Sequence, residues 1–325
     1  MTDEIPTRTI QLQPWLKTGD VEACFPTGKD GALILKDHGR ILLDEKLAAI
    51  TLHDRPDIDW GWTHAQRLPD GGYALASSRS AVGRKNLQLF DDRGKLVTRF
   101  PAGDAIEYMA VDGQGRIWVG YFDEGTCGDD PLSHAGLSRF SESGRLEYQW
   151  DYRPHGPIID CYALTLDESG RAWICPYTEF FVAAITDDDV RIEMPKAPVS
   201  LAWGLLIGAT HLGFVGGMDL PRDGGTVISW GDDGTATHLP LMPEDFVEST
   251  KESIVTIVDL RTGARTQMQL LDQHAAPLAF QHRVNCRAGT AVCWTKDAVY
   301  RFTLESLVAA AAMPSDLGAE GHSKR

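Results

Sequence analysis

Apolar and polar positions alternate in short runs along most of the chain, and glycine-containing acidic turns separate the runs at regular intervals. The stretch NLQLFDDRGKLVTRF (86–100) can be laid over GLSRFSESGRLEYQW (136–150) at an offset of 50 residues. Phe90 then falls on Phe140, Gly94 on Gly144 and Leu96 on Leu146. The same shape returns in FVAAITDDDVRIEMP (181–195) and TVISWGDDGTATHLP (226–240). Two alternating runs joined by such a turn predict a β-hairpin. A second pattern precedes the hairpins. MAVDGQGRIWVGYF (109–122) matches LTLDESGRAWICPY (164–177), with Asp112 over Asp167, Gly115 over Gly170 and Trp118 over Trp173. RLPDGGYALASS (67–78) is a looser third copy.

Each unit is therefore about four short strands in roughly 45–50 residues, and such a unit cannot bury both faces alone. Radial stacking of neighbours does bury them, so the pattern predicts an all-β fold: one β-propeller of about six four-stranded blades, with seven as the alternative. DGALILKDHGRILLDEKLAAITLH (30–53) reads as an early blade and NCRAGTAVCWTKDAVYRFTL (285–304) as most of the last. An N-terminal strand, TIQLQP (9–14), is expected to complete that last blade, because an open ring leaves exposed strand edges. The pattern weakens over 241–275, where IVTIVDLRTGARTQM (254–268) has too little chain before it for a full blade. LESLVAAAAM (304–313) is helix-compatible, so the expected division is a propeller over 1–308 and a disordered tail over 309–325. Trp118 and Trp173, on equivalent central strands, are expected to pack between blades.

Composition narrows the partners. The net charge of −15, with no offsetting Lys/Arg run, disfavours nucleic acid and anionic membrane. The start, MTDEIPTRTI, lacks the basic and apolar runs of a secretory leader, and no apolar segment reaches membrane-spanning length. The six cysteines form no C-x-x-C pair. Free thiols in a reducing cytoplasm are the expectation.

The stretch VDGQGRIWVGYFDEG, followed by GLSRFSESG, resembles the repeat of two-component-regulator propellers. It is also similar to the group that holds NHL-repeat, strictosidine-synthase-like and gluconolactonase-like propellers. Residues 57–180 look like bacterial propellers of unassigned function. The resemblance implies the propeller fold. In gluconolactonases it further implies a divalent cation, Ca²⁺ or Mg²⁺ being the natural choices, held in the central channel by Glu, Asn and Asp from separate blades. The chain has only Asn86 and Asn285, and neither is read as starting an inner strand.

Candidate chemistry lies where strands end. Asp123 and Glu124, beside Tyr121, precede a long insertion, GTCGDDPLSHAG (125–136), and carboxylates there suit a hard cation or acid–base work. Glu107 in AIEYMAV and Asp160 in IIDCYAL are read as equivalent positions on neighbouring blades, converging on the channel. Trp60, Trp62 and His64 in DIDWGWTHAQ share one face if extended and could stack on a sugar or base. Glu179 in YTEF is a candidate by equivalence. For each the alternative is structural: a solvated loop, a water-filled channel mouth, or Trp packed between blades. No G-x-S-x-G elbow, H-E-x-x-H, Walker loop or dinucleotide fingerprint is present.

The reading that follows is a cytoplasmic binding module recognising a protein partner or a small polar ligand at one face of the ring. Its ligand-binding candidates are Glu107, Asp160, Asp123, Glu124, Trp62, His64 and Glu179. The alternative is a metal-assisted hydrolase or lactonase with Glu107, Asp160 and Asp123 around a channel cation.

Overall fold

The computed structural model describes residues 5–28, 30–37, 41–44, 46–53, 63–219, 253–278 and 284–313, together with the short paired strands Ser229–Trp230 and Ala236–Thr237. The chain is a β-propeller of six blades. From axis outward, blade 1 runs Ala23–Pro26, Ala32–Lys36, Ile41–Leu43, Ala49–Thr51. Blade 2 runs Thr63–Arg67, Tyr73–Ser77, Leu87–Phe90, Leu96–Phe100. Blade 3 runs Ile106–Val111, Ile117–Tyr121, Leu137–Phe140, Leu146–Gln149, and blade 4 runs Leu164–Leu166, Ala172–Ile174, Val182–Thr186, Asp189–Met194. Blade 5 is built from Gly204–Ile207, His211–Val215, Ile254–Asp259 and Arg265–Leu271, and blade 6 from Val284–Arg287, Thr290–Trp294 and Ala298–Thr303.

The period-2 pattern explains the stacking. In blade 3, Ile117 and Val119 join the apolar layer shared with blade 2, while Trp118 between them joins the layer shared with blade 4. Trp173 likewise fills the layer between blades 4 and 5. Both indoles are buried, as their spacing predicts. Six such layers occupy the six gaps. The one joining blade 6 to blade 1, around Cys24, Ile34, Val292, Trp294 and Val299, closes the circle.

The recurring acidic turns are structural. The Asp112 carboxylate accepts the amides of Gln114 and Arg116 and the Arg116 side chain. Asp167 repeats this with Ser169, Arg171 and the Trp173 indole. The glycines of these turns, Gly94, Gly115, Gly144 and Gly170, all take φ between 78° and 86°, a left-handed conformation that side chains resist.

Two expectations are corrected. Residues 9–14 do not complete the last blade. Thr7–Gln11 instead adds a fifth, parallel strand to blade 5 along Arg265–Leu271, and the next segment, Leu16–Lys17, pairs with Ala298–Thr303 as the outer strand of blade 6. The N-terminus therefore clasps two blades. The hairpin at 226–240 is not the outer pair of a blade either. Ser229–Trp230 and Ala236–Thr237 do form a hairpin, but among the described residues they join no blade, and they fall in the sequence between the second and third strands of blade 5. The segment 254–268 is that blade's outer hairpin, severed in sequence from its inner one at 204–215.

Leu304–Ala312 forms the expected helix, started by a Thr303–Ser306 capping box and anchored by buried Leu304 and Leu307. Residues from 314 onward, and so most of the expected tail, lie outside the described residues. All six cysteines are free, and Cys24, Cys161, Cys175 and Cys293 are buried. No described helix is long and apolar enough to cross a membrane.

Candidate functional site

In a propeller, the start of every innermost strand and the end of every second strand gather on one face. On that face blades 3 and 4 bring together Glu107, Asp123 and Asp160. Glu107 sits near the start of the Ile106–Val111 strand, where the register slips: Ile106 pairs with Tyr121 and Tyr108 with Gly120, leaving Glu107 as the extra residue of a bulge. Bulges re-aim side chains. Ala105, just before it, is buried at φ 58°, so the chain enters the strand through a left-handed kink.

Asp160 is held in a segment stapled between two blades. The Cys161 amide donates to Tyr121 O at 2.9 Å, and Thr126 Oγ1 donates to Ile159 O at 2.7 Å, both on blade 3. On the blade 4 side, the amides of Ile159 and Tyr177 complete a two-bond bridge between Asp160 and Tyr177. Gly120 permits this approach, since a Cβ there would lie 2.8 Å from Cys161 Sγ. Asp160 Oδ1 is buried and has no hydrogen-bond partner among the described residues.

The electrostatics follow from this crowding. Burial, then the charges of Asp160 and Asp123, push the Glu107 carboxyl up to about 7. Burial and the Asp123 charge push Asp160 up to about 7 as well, partly offset by the Asp123 backbone amide. Asp123 itself is exposed and opens the one-turn helix Asp123–Thr126. Two carboxyls that titrate near neutrality can each hold or release a proton at physiological pH.

The equivalence expected between Glu107 and Asp160 is incorrect. The Phe122 amide donates to Ala105 O, as the Tyr177 amide does to Asp160 O one blade on. The Ile106 amide donates to Ser78 O of the preceding blade, as the Cys161 amide does to Tyr121 O. Asp160 therefore corresponds to Ala105, and the counterpart of Glu107 is Tyr162. The two acids meet from staggered positions. The offset of 55 that aligns Trp118 with Trp173 already carries Glu107 onto Tyr162.

Tyr162 is the residue that the sequence reading missed. Its hydroxyl is raised by burial and then by Asp160, Tyr177, Asp123 and Glu107. Its ring lies edge-on to Tyr177 at 6.1 Å and stacked on Phe180 at 6.3 Å, so an aromatic wall stands beside the carboxyls. Tyr108, which feels the charges of Glu107 and Asp160, donates its hydroxyl to Trp203 O at 2.8 Å.

The other candidates stand apart. Glu124 is exposed and forms an ion pair with Arg79, which also pairs with Asp104 at 3.3 Å. Glu179 is exposed on a turn. The His64 ring packs edge-on to Phe25, and its Nε2 is engaged by Ser78 and Ile106. Trp60 and Trp62 lie outside the described residues. Asn285, contrary to expectation, is the second residue of an innermost strand, Val284–Arg287, but its Nδ2 is spent on Cys24 O at 2.8 Å. Asn86 is buried and fastens Ser77, Ala102 and Gly103.

Among the described residues no group of three or more His, Cys, Asp or Glu side chains is placed to hold a metal ion. Glu107, Asp160 and Asp123 feel one another's charge without closing into a ligand set, so they do not fit the channel cation that the gluconolactonase resemblance implies.

At the opposite face hydrogen bonds link blades across the ring. Arg287 Nη1 reaches from blade 6 to Val111 O of blade 3 at 3.1 Å. The Ala288 amide donates to Leu166 O at 2.7 Å, and Ala288 O accepts from Ile207 N at 2.8 Å. Thr165 Oγ1 donates to Cys286 O at 3.2 Å. The carboxyl pair lies at the end of the ring away from these bonds.

No protein-family model matches the chain, and no curated protein matches it in sequence. Among solved structures it is similar to a catalytically inactive virginiamycin B lyase from Staphylococcus aureus with quinupristin, at 14% identity and TM-score 0.49, over 89% of this chain and 96% of that one. It is also similar to a gluconolactonase from Xanthomonas campestris, at 11% identity and TM-score 0.48, over 89% and 88%. A third likeness is the PQQ-bound aldose sugar dehydrogenase from Streptomyces coelicolor, at 11% identity and TM-score 0.46, over 89% and 98%.

Proposed function

We propose that this propeller is a binding module that takes a small polar ligand into the channel mouth formed by Glu107, Asp160, Asp123 and Tyr162. The observation that carries the reading is the carboxyl pair: Glu107 and Asp160, both raised to about 7, with Asp160 Oδ1 buried and without a partner among the described residues. A buried acceptor without a donor costs about 1–3 kcal/mol, which a ligand N–H or O–H would recover. The aromatic wall of Tyr162, Tyr177 and Phe180 suits the apolar face of a sugar ring or an alkylammonium group. The ligand is therefore rich in hydrogen-bond donors, a polyol or a small amine.

The test is calorimetric titration with glucose, sorbitol, ethanolamine and choline. Binding of one of them by the parent protein, lost in the double variant Glu107→Gln, Asp160→Asn, supports the reading. Equal binding by parent and variant overturns it.

A second, catalytic reading rests on the same two raised carboxyls, which match the requirement for general acid–base work near neutral pH. Hydrolysis of a lactone by water, one carboxyl taking a proton as the other gives one, is the reaction this pair would serve. Because the three acids do not form a ligand set, no metal-assisted step is drawn. Lactone hydrolysis followed with a pH indicator, absent in Glu107→Gln, is the measurement that would favour it.

A further inference from the structure

We infer that His64, acting with Ser78, is a positioning residue for Glu107: together they grip Ile106 and so hold the bulge that turns Glu107 toward the channel mouth. The inference rests on the ligand-binding reading for its significance, and on the geometry of blades 2 and 3 for its substance.

Ile106 is the last residue in register before the bulge. Blade 2 holds it at both ends of its peptide. Its amide donates to Ser78 O at 2.9 Å, and its carbonyl accepts from Ser78 Oγ at 2.6 Å. His64 Nε2 lies 3.0 Å from Ser78 Oγ and 3.1 Å from the same carbonyl. Ser78 commits its only proton to Ile106, so its oxygen accepts from His64. Nε2 is therefore the protonated nitrogen, a tautomer assigned from this network. The Ile106 carbonyl carbon is bonded to the Glu107 nitrogen, so fixing that carbonyl fixes the peptide plane from which Glu107 departs.

At the next junction the corresponding backbone bond, Cys161 N to Tyr121 O, is present, but the residue in the place of Ser78 is Tyr121, whose hydroxyl donates to Ala102 O at 2.7 Å instead. Burial also keeps the His64 ring neutral, lowered to about 4 despite its bond to Ile106 O. It thus offers a donor without placing a positive charge beside the acids. The groups that face Glu107 are then Asp160 and Asp123, with Tyr108, Tyr162 and Cys161 around them.

The test reads Glu107 directly, without any ligand, by following its side-chain carboxyl carbon in an NMR pH titration. His64→Phe removes the donor and keeps a ring. It is expected to lower the Glu107 midpoint by about one pH unit or more, as the released carboxyl moves toward water. His64→Gln, whose amide nitrogen reaches the position of Nε2, is expected to restore the parent midpoint. Ser78→Ala, which keeps the histidine, should shift it in the same direction and serves if His64→Phe does not fold. A midpoint unchanged within about 0.3 unit in the folded variants, whatever happens to the melting temperature, overturns the inference. Because the titration contains no ligand, it fails independently of the calorimetric test of Glu107→Gln, Asp160→Asn.

Discussion

The guanidinium of Arg287, on the innermost strand of blade 6, donates to the carbonyl of Val111, on the innermost strand of blade 3, across the propeller axis at 3.1 Å. Burial lowers this arginine, and the Asp112 charge opposes the shift. Arg287→Met keeps the length of the side chain and removes the bond. It is expected to cost about 1–3 kcal/mol, the usual range when a buried acceptor loses its partner. Denaturant unfolding measures this. A variant as stable as the parent would show that the bond does not brace the ring.

The carboxyl pair makes stability depend on pH. Glu107 and Asp160 have folded-state values near 7 against ordinary values near 4, so folding favours their protonated forms. Their stabilising contribution is complete below the unfolded-state value and is lost as pH rises through the folded-state value. The window is therefore about pH 4 to 7. Glu107→Gln, neutral at every pH, should be more stable than the parent at pH 8, by roughly 2–3 kcal/mol, and indistinguishable at pH 4. Melting curves at both pH values check this. A variant that is less stable at pH 8 would contradict it.

His64 acts on the acid side. Its folded-state value is lowered to about 4 from an ordinary 6.5. The stability it contributes is present above 6.5 and is lost as pH falls through 4. His64→Gln, which does not titrate, should show a shallower loss of stability between pH 6.5 and 4 than the parent. Parallel denaturation curves across that range would count against a neutral buried ring.

Trp118 is 1% exposed in the layer between blades 3 and 4. Arg139 stands over its ring at 5.0 Å and Tyr148 packs against it at 5.6 Å. Trp118→Ala should cost roughly 3–5 kcal/mol. A melting temperature within a degree of the parent's would be the contrary result.

Gly120→Ala tests the approach of blade 4. The added methyl would lie 2.8 Å from Cys161 Sγ and 3.0 Å from its Cβ. Overpacking of this kind costs about 1–3 kcal/mol. Displacement of the Asp160 segment should also weaken its influence on Glu107, moving the Glu107 midpoint down. Gly120→Ala with Cys161→Ala should recover part of both effects. No recovery would place the strain elsewhere.

The repeat and its consequences were legible in the sequence. Strand periodicity, the Asp–Gly turns and the Trp118–Trp173 match are local properties, set within a few residues by side-chain alternation and by turn conformations that glycine and aspartate favour. They were enough for a ring of about six blades and for indoles between blades. Glu107, Asp160 and Asp123 could also be picked out as strand-end acids of neighbouring blades. What only the tertiary structure decided depends on partners distant in the chain. The parallel strand Thr7–Gln11 looks locally like any edge strand, and its choice of blade 5 is made by Arg265–Leu271, more than 250 residues away. The insertion that splits blade 5 hid the pairing of 204–215 with 254–271, because the hairpin pattern marks strands that are adjacent in sequence. The stagger of Glu107 against Asp160 could be read from the offset of 55, but the aim of Glu107 is set by a bulge, one extra residue that leaves the hydrophobic period unchanged. The engagement of His64 is set by Ser78 and Ile106, residues whose types carry no such signal. The raised carboxyls likewise come from burial by two blades at once, a property of the assembled ring.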